Sequence, residues 1–285
     1  MKTIIKNRRE LLSTGDVDSR RVVLDVAEGA LRRLNAENRI RSIMHREGSI
    51  VRIGEKQWDL SKKRHVYLIG AGKACNAMAM AVEKILGDYL TDGIAIVKIA
   101  EETDEFRKTR VFVGGHPIPN EAGLQASREV LKLIDGACAE DLFFCVMSGG
   151  SSALMNCPVE GLTLQDEIDT TNILLKSGAN IREINAVRHH ISAMNGGRMA
   201  QRIAEKGAEL VGFNISDSVA YGPTGDISVP WENFSATPMG PDQTTVEDAL
   251  AVIRDYDLEN RLPERVIHYL KTCGPAGETP KAFPQ

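Results

Sequence analysis

The sequence is poor in several features that particular classes of protein require. Aromatic residues are 5% of its 285 residues, and 39 acidic residues outnumber 35 basic ones, which gives a net charge of −4. A nucleic-acid or membrane-surface partner needs a basic face, so neither is expected. No stretch approaches the ~20 apolar residues of a spanning helix. The basic start at residues 1–9 has no apolar segment after it, so we expect no signal peptide.

Cysteine is also sparse, and its spacing excludes two kinds of site. The count of five is odd, and no two residues form a C-x-x-C pair. A disulfide framework and a structural zinc site therefore lose support. We expect buried or incidental thiols in a protein of the reducing cytoplasm, at Cys75, Cys138, Cys145, Cys157 and Cys273.

The hydrophobic content of 42% supports a packed core, and the length suits one large α/β unit or one with a small lobe. Short apolar runs predict strands at 51–53, 66–69, 94–99, 111–113, 142–147 and 210–215. Helical spacing predicts helices near 18–43, 73–86, 121–134, 163–176, 180–193, 197–206, 246–255 and 263–271. This alternation predicts an open, mostly parallel, Rossmann-like sheet with helices on both faces. Prolines and glycines predict a long loop over 218–245.

Ligands of such sheets bind beyond the carboxyl ends of the strands, which selects 70–73, 148–152 and 214–217. In the segment 70–73, Gly70 and Gly72 would let the backbone approach an anion, and Lys73 adds a mobile positive charge. A Walker A loop is absent, and no third glycine of a dinucleotide fingerprint stands at Asn76 or Ala77. A glycine-tightened turn with a solvated lysine is the alternative interpretation.

The second place holds Ser148, Gly149, Gly150, Ser151 and Ser152. Two glycines and three hydroxyls between a strand and a helix are typical of a nest for phosphate oxygens. A capped helix entry is the simpler alternative. A serine nucleophile is a further alternative, although it needs a basic partner and the G-x-S-x-G elbow is absent.

A third candidate lies on the predicted helix over 180–193. Asn185 and Arg188 are three residues apart and share a face, and His189 lies one turn from Asn185. An asparagine and an arginine that project together suit a carboxylate or a phosphate. His189 and His190 lack the spacing of a helical metal pair, so we expect His190 at the surface or the edge of the core.

The fourth candidate is Asp217, which follows Ser216 at the end of a predicted strand. An aspartate there could bind Mg²⁺ or accept a proton from a hydroxyl. A turn or helix-cap aspartate is the alternative. We expect Asp226 and Asp242 to be solvated residues of the following loop.

In combination, these segments resemble the class II (MOFRL-type) glycerate kinases over about residues 17–272. The matching stretches keep a common order and spacing, which makes the combination specific. They are Gly70-Ala71-Gly72-Lys73-Ala74 with Met78-Ala79, Gly115-His116-Pro117-Ile118-Pro119, Ser148-Gly149-Gly150-Ser151-Ser152-Ala153-Leu154, Asn180 to Asn185, Val187 to Ser192, Gly196-Gly197 and Ser216-Asp217.

The resemblance implies a kinase that uses ATP and Mg²⁺ to convert D-glycerate to 2-phosphoglycerate. It implies that Lys73 contacts the substrate or the transferred phosphoryl group. On this hypothesis Gly72 and residues 148–152 hold phosphate or carboxylate, Asn185, Arg188 and His189 bind the substrate, and Asp217 binds Mg²⁺ or acts as the base. The expected organisation is an extension (1–16), a MOFRL-associated N-terminal domain (17–272) and a linker or tail (273–285).

Two departures from the family pattern shape the remaining expectations. Family members continue into a C-terminal domain near the point where this sequence ends, and the loop over 218–245 is irregular. We therefore expect residues 1–285 to be weakly active or inactive alone, with activity restored by a separate MOFRL-domain polypeptide. The alternative is a non-catalytic anion-binding or assembly subunit. Hydroxypyruvate reductase is a rival name without a supporting motif, and the oligomeric state, a homodimer included, stays open.

Overall fold

The computed structural model describes residues 4–101, 105–215 and 238–283. The helices are α1 (Arg8–Leu11), α2 (Val17–Leu34), α3 (Ala36–Ile43), α4 (Cys75–Leu86), α5 (Glu121–Asp135), α6 (Ser151–Leu154), α7 (Leu164–Leu175), α8 (Ile181–His190), α9 (Arg198–Glu205), α10 (Val246–Asp255) and α11 (Glu264–Thr272). The strands are β1 (Met44–Glu47), β2 (Ile50–Ile53), β3 (Lys56–Asp59), β4 (Val66–Gly72), β5 (Asp92–Val97), β6 (Thr109–Val113), β7 (Leu142–Ser148) and β8 (Glu209–Ile215). Within these ranges no helix is both long and apolar enough to cross a membrane.

The core is a parallel sheet in the order β6–β5–β4–β7–β8. Successive residues of β7 point to opposite faces, so Phe144 packs with α3 and α4 while Phe143 packs with α5 and α9. Both phenylalanines are fully buried, which contributes about 1.5–3 kcal/mol each. A strand buried on both faces must be apolar throughout, as β7 is. The predicted open parallel sheet with helices on both faces is confirmed.

A second, antiparallel sheet joins β1, β2 and β3, and the sequence analysis largely missed it. Only residues 51–53 of β2 were expected, and one helix was predicted over 18–43, where the structure has α2 and α3. Asn35 divides that helix because its side chain caps α3 and accepts a hydrogen bond from the Asn38 N–H. Met44 and Val51 then lie buried against the main core, which fixes the short strands in place.

Helices α7, α8, α10 and α11 pack together in a separate hydrophobic cluster. Three of them begin with a reciprocal capping box, which pairs Thr163 with Asp166, Asn180 with Glu183 and Thr245 with Asp248. These caps explain why the predicted helix starts lie within one residue of the observed ones. Strand β5 begins and ends two residues earlier than predicted, at Asp92 and Val97.

The carboxyl ends of β4 and β7 lie side by side, although β5 and β6 separate them in the chain. This is the switch point of the sheet, where the chain winds away in opposite directions and leaves a crevice. At Gly72 the backbone has φ +130°, and an added Cβ would lie 2.2 Å from Ser148 Oγ. Only glycine permits this close approach of the two strand ends.

We expect Gly72→Ala to destabilise the fold by about 3 kcal/mol or more, because it adds a clash to an unfavourable backbone angle. Gly178→Ala is the matched control, since Gly178 also has positive φ (+91°) but no atom within 4 Å of the added Cβ. The control should cost about 1–2 kcal/mol. Urea unfolding measures both, and equal losses would show that the crevice tolerates a side chain.

Candidate functional site

Positively charged and histidine side chains follow three neighbouring strands at one edge of the main sheet. Lys73 follows β4, Lys98 follows β5 and His116 follows β6 within three residues of its end. The register pairs Gly72 with Val97 and Val97 with Val113, so these strands end at the same level. Parallel strands therefore bring together side chains that lie far apart in the sequence.

The two glycine-containing loops at this edge are bound to each other. The Lys73 N–H donates to the Gly149 carbonyl at 3.0 Å, and the Ala74 N–H donates to Ser148 Oγ at 3.0 Å. Ser148 is buried and its hydroxyl supports the neighbouring loop, so this contact does not favour the serine-nucleophile alternative. Ser151 is also buried, and the Ser152 carbonyl accepts from Asn195 Nδ2 at 3.1 Å. The structure thus brings the first two predicted places together.

Gly150 lies directly beneath the side chains of Lys73 and His116. Its φ is +90°, and an added Cβ would lie 2.7 Å from His116 Cδ2, 2.8 Å from His116 Nε2 and 3.6 Å from Lys73 Cγ. A larger residue would displace the imidazole ring. Gly150 therefore allows the lysine stem and the histidine ring to converge over the loop.

The pKa of His116 is sensitive to the positive charges at this edge of the sheet. Burial lowers the pKa of its imidazole, and the charges of Lys73, Lys98 and Arg188 lower it further. Arg188 on α8 thus faces the same region as the two lysines. A concentration of positive charge with a neutral imidazole suits an anionic ligand. His116 had no role among the residues predicted from sequence, although its position just beyond a strand end was a usable signal.

Three predicted residues of α8 are buried with polar atoms that have no partner among the described residues. These atoms are Asn185 Oδ1, Arg188 Nε and Nη2, and His189 Nε2. Leaving such a group unpaired costs about 1–3 kcal/mol, so a group of them on adjacent turns indicates a ligand or ordered water. The side chain of His189 also contacts Asp242, at 3.1 Å from Nδ1 to Oδ2. The roles assigned to these residues from sequence stay predictions.

Behind Arg188 lies a buried carboxyl group that the sequence analysis did not identify. Glu167 on α7 is 2% exposed. Burial raises the pKa of Glu167 to about 7, and the Arg188 charge opposes that rise. Thr170 and Thr171 on the same helix have buried hydroxyls without partners in the described ranges. In the sequence Glu167 is indistinguishable from the ordinary acidic residues that stabilise a helix start, because its environment depends on a contact with α8.

Asp242 was expected in solvent, and that expectation is wrong. The residue is 5% exposed and binds His189, Thr244 and Thr279. Hydrogen bonds from distant segments explain its burial, and no local pattern encodes them. His190, expected at the surface or the core edge, is fully buried, with Nδ1 2.6 Å from the Ala186 carbonyl.

The predicted metal ligand Asp217 lies outside the described residues, as does Asp226. Strand β8 ends at Ile215, which pairs with Ser148 at the same edge of the sheet. Across residues 4–101, 105–215 and 238–283, no three histidine, cysteine or acidic residues lie close enough to hold a metal ion. A metal site at Asp217 therefore stays a prediction.

Comparison with known proteins identifies the family. The domain of unknown function DUF4147 matches residues 22–271. A glycerate 2-kinase from Pyrococcus horikoshii is 39% identical over 214 residues, which are 74% of this chain and 44% of that protein. A relative from Agrobacterium vitis with a hydroxypyruvate reductase name is 35% identical, over 75% of this chain and 45% of that protein.

Among solved structures, the PH0495 protein from Pyrococcus horikoshii OT3 matches with a TM-score of 0.77 and 32% identity. The match covers 95% of this chain and 59% of that one. The chain spans a little under half the length of the two curated relatives. The chain belongs to the DUF4147 family, the MOFRL-associated N-terminal domain of class II glycerate kinases, which confirms the resemblance of its motifs.

Proposed function

We propose that this chain supplies the anion-binding half of a glycerate 2-kinase, which transfers a phosphoryl group from ATP to the 2-hydroxyl of D-glycerate. The observation that carries the proposal is the convergence of Lys73, Lys98 and Arg188 around His116, beside two interlocked glycine loops. Its relative from Pyrococcus horikoshii bears the name glycerate 2-kinase. Both the substrate and the co-substrate of that reaction are anions.

The chemistry of phosphoryl transfer requires positioning and neutralisation of charge more than covalent catalysis. Lys73 is exposed at the edge, so its flexible ammonium group can follow the transferred phosphoryl group. The loop of Gly149 and Gly150 lies beside Lys73 and His116, where a phosphate could contact both side chains and the backbone. Arg188 would bind the glycerate carboxylate through Nε and Nη2, and Asn185 Oδ1 would accept a hydrogen bond from a glycerate hydroxyl, which matches the unpartnered atoms there.

Two parts of the proposal concern groups beyond this edge. We propose that ATP is used with Mg²⁺, which would neutralise phosphate charge, and that Asp217 is a carboxylate ligand of the Mg²⁺ ion. We also propose that turnover needs residues from the part of the relatives that this chain does not match, supplied by a MOFRL-domain polypeptide. The coverage of 44% in the Pyrococcus horikoshii enzyme supports the second part.

A reductase is the second candidate, because the Agrobacterium vitis relative carries that name. The strand order around β4 could accept a nucleotide, but the loop after β4 lacks the third glycine of a dinucleotide fingerprint. Incubation with hydroxypyruvate and NADH or NADPH distinguishes the candidates. Oxidation of the nicotinamide at a rate above that of ADP formation from D-glycerate would favour the reductase.

Replacement of the mobile lysine tests the kinase directly. We expect Lys73→Ala to lower ADP formation with D-glycerate by about 10²–10³-fold, because one preorganised charge on the transferred group is lost. Lys84→Ala, an exposed position on α4 outside this edge, is the matched control and should retain activity. Both variants should unfold at similar urea concentrations. Full turnover by Lys73→Ala would remove the lysine from the mechanism.

Glu167 predicts a pH dependence of substrate affinity. Above pH about 7 Glu167 is ionised and offsets the charge of Arg188, so D-glycerate should bind less tightly as pH rises from 6.5 to 8.5. We expect a loss of about threefold to tenfold, the size of a moderate interaction at an effective dielectric of ~20. The D-glycerate carboxylate keeps its charge over this range, and the lowered pKa of His116 keeps that ring neutral.

Glu167→Gln should bind D-glycerate with nearly constant affinity over the same range, measured by calorimetry. Asp169→Asn on the same helix α7 is the control, since Asp169 is more accessible and binds Gln165. It should keep the wild-type pH profile. An unchanged profile in Glu167→Gln would assign the dependence to another group.

The need for further residues predicts complementation. We expect residues 1–285 alone to form ADP from ATP and D-glycerate slowly, and a purified MOFRL-domain polypeptide to raise the rate by about 10²-fold or more. The control is the same mixture with Lys73→Ala, which should stay inactive. Rapid turnover without the second polypeptide would show that this chain holds all the catalytic groups.

A further inference from the structure

A buried aspartate–histidine pair joins α8 to the segment before α10. His189 Nδ1 lies 3.1 Å from Asp242 Oδ2. Asp242 Oδ1 accepts from the Thr244 N–H at 3.0 Å and from Thr244 Oγ1 at 2.8 Å. Asp242 Oδ2 also accepts from Thr279 Oγ1 at 3.2 Å. Three segments therefore hold one carboxylate beside one imidazole ring.

This network fixes the protonation pattern of the ring. Both carboxylate oxygens accept hydrogen bonds, so the contact with His189 requires a proton on Nδ1. Burial alone would raise the pKa of Asp242, but the hydrogen bonds from His189 and Thr244 lower it overall. An imidazole ring with its single proton on Nδ1 carries a lone pair on Nε2, which makes that atom a hydrogen-bond acceptor.

The Nε2 atom has no partner among the described residues, and His189 is only 3% exposed. Unpartnered polar atoms of Asn185 and Arg188 lie at neighbouring positions on the same helix. A carboxylate held by Arg188 would bring the adjacent hydroxyl of a 2-hydroxy acid to the same part of α8. A lone-pair acceptor next to an arginine suits such a ligand, which has a negative group and a donor on adjacent carbons.

We propose that His189 accepts the proton of the 2-hydroxyl of D-glycerate, and that Asp242 is the positioning residue that orients the ring for this task. This inference rests on the proposed kinase function and deepens it. As the proton moves to His189 Nε2, the hydroxyl oxygen forms its bond to the transferred phosphorus, and the bond to the nucleoside diphosphate breaks. The histidine later returns the proton to solvent. Asp217 keeps the metal-binding role proposed above.

The neighbouring His190 does not meet the same conditions. Its Nδ1 lies 2.6 Å from the Ala186 carbonyl, and its Nε2 lies 3.6 Å from Glu278. His190 Nε2 likewise has no hydrogen-bond partner among the described residues, but the Glu278 carboxylate lies beside it and would repel an anionic ligand. His190 therefore serves as an internal reference for spectroscopy.

The variant Asp242→Asn separates orientation from folding. In this variant the atom that faces the Thr244 N–H must be the amide oxygen, because it accepts that hydrogen bond. The amide nitrogen therefore takes the place of Oδ2 and faces His189. The amide then donates to Nδ1, which moves the ring proton to Nε2. Asp248→Asn is the control, because it weakens the capping box of α10 without a contact to His189.

Nitrogen-15 NMR of histidine-labelled protein measures the outcome, with His189→Gln used for assignment. We expect an unprotonated Nε2 in the wild type and Asp248→Asn, and a protonated Nε2 in Asp242→Asn. D-glycerate should shift the wild-type Nε2 resonance, whereas 3-hydroxypropionate, which lacks the 2-hydroxyl, should not. In the active assembly Asp242→Asn should lower kcat by about 10²–10⁴-fold, with a smaller change in KM.

Each other outcome has a separate meaning. A wild-type proton on Nε2, an equal shift with both acids, or an unchanged kcat in Asp242→Asn would overturn the assignment of His189, while glycerate binding would leave the kinase function intact. Failure of the wild-type chain, with the MOFRL-domain polypeptide added, to bind either acid would reject the proposed function. The inference would then fall with it.

Discussion

The approach of β4 to β7 at their carboxyl ends is the constraint on which the rest of the architecture depends. Gly72 leaves no space between the strands, with its missing Cβ 2.2 Å from Ser148 Oγ. The two following loops therefore meet and exchange hydrogen bonds through Lys73 and Ala74. Because the sheet order reverses here, α4 and α5 cover opposite faces of the sheet.

The distribution of charge around this crevice follows from the same arrangement. Lysines stand at the strand ends, where water and a ligand can reach them, whereas the arginine is inside, on α8. An arginine buried without hydrogen-bond partners for two of its nitrogens is costly to the folded state. Proteins retain such costs where binding requires them, which supports the anionic ligand proposed for Arg188.

Much of the fold could be predicted because its information is local. The apolar run of β7 and the capping residues of α7, α8 and α10 determine their elements through neighbours within a few positions. The strand-end rule then placed Lys73 beside the serine and glycine loop. The sheet of β1–β3 escaped because its strands are four residues each and gain their burial from a distant core.

The parts of the candidate site that the sequence could not reveal are those made by contacts across the chain. Asp242 meets His189 over a separation of 53 residues, and Glu167 meets Arg188 through the packing of α7 on α8. Neither carboxyl group differs locally from an ordinary cap or loop acid. Only the fold gives the two opposite environments, one that favours the protonated acid and one that favours the carboxylate.

The opposite environments of Glu167 and Asp242 support different roles for their partners on α8, Arg188 and His189. Burial raises the pKa of Glu167 to about 7, so below that pH the protonated acid leaves the charge of Arg188 to an anion. Donated hydrogen bonds keep Asp242 ionised beside His189, so the ring keeps its proton on Nδ1 and leaves Nε2 as an acceptor. Carboxyl groups whose pKa values are driven apart by their surroundings are characteristic of acid–base sites. Packing of α8 against its neighbours does not by itself require two carboxyl groups with such different pKa values.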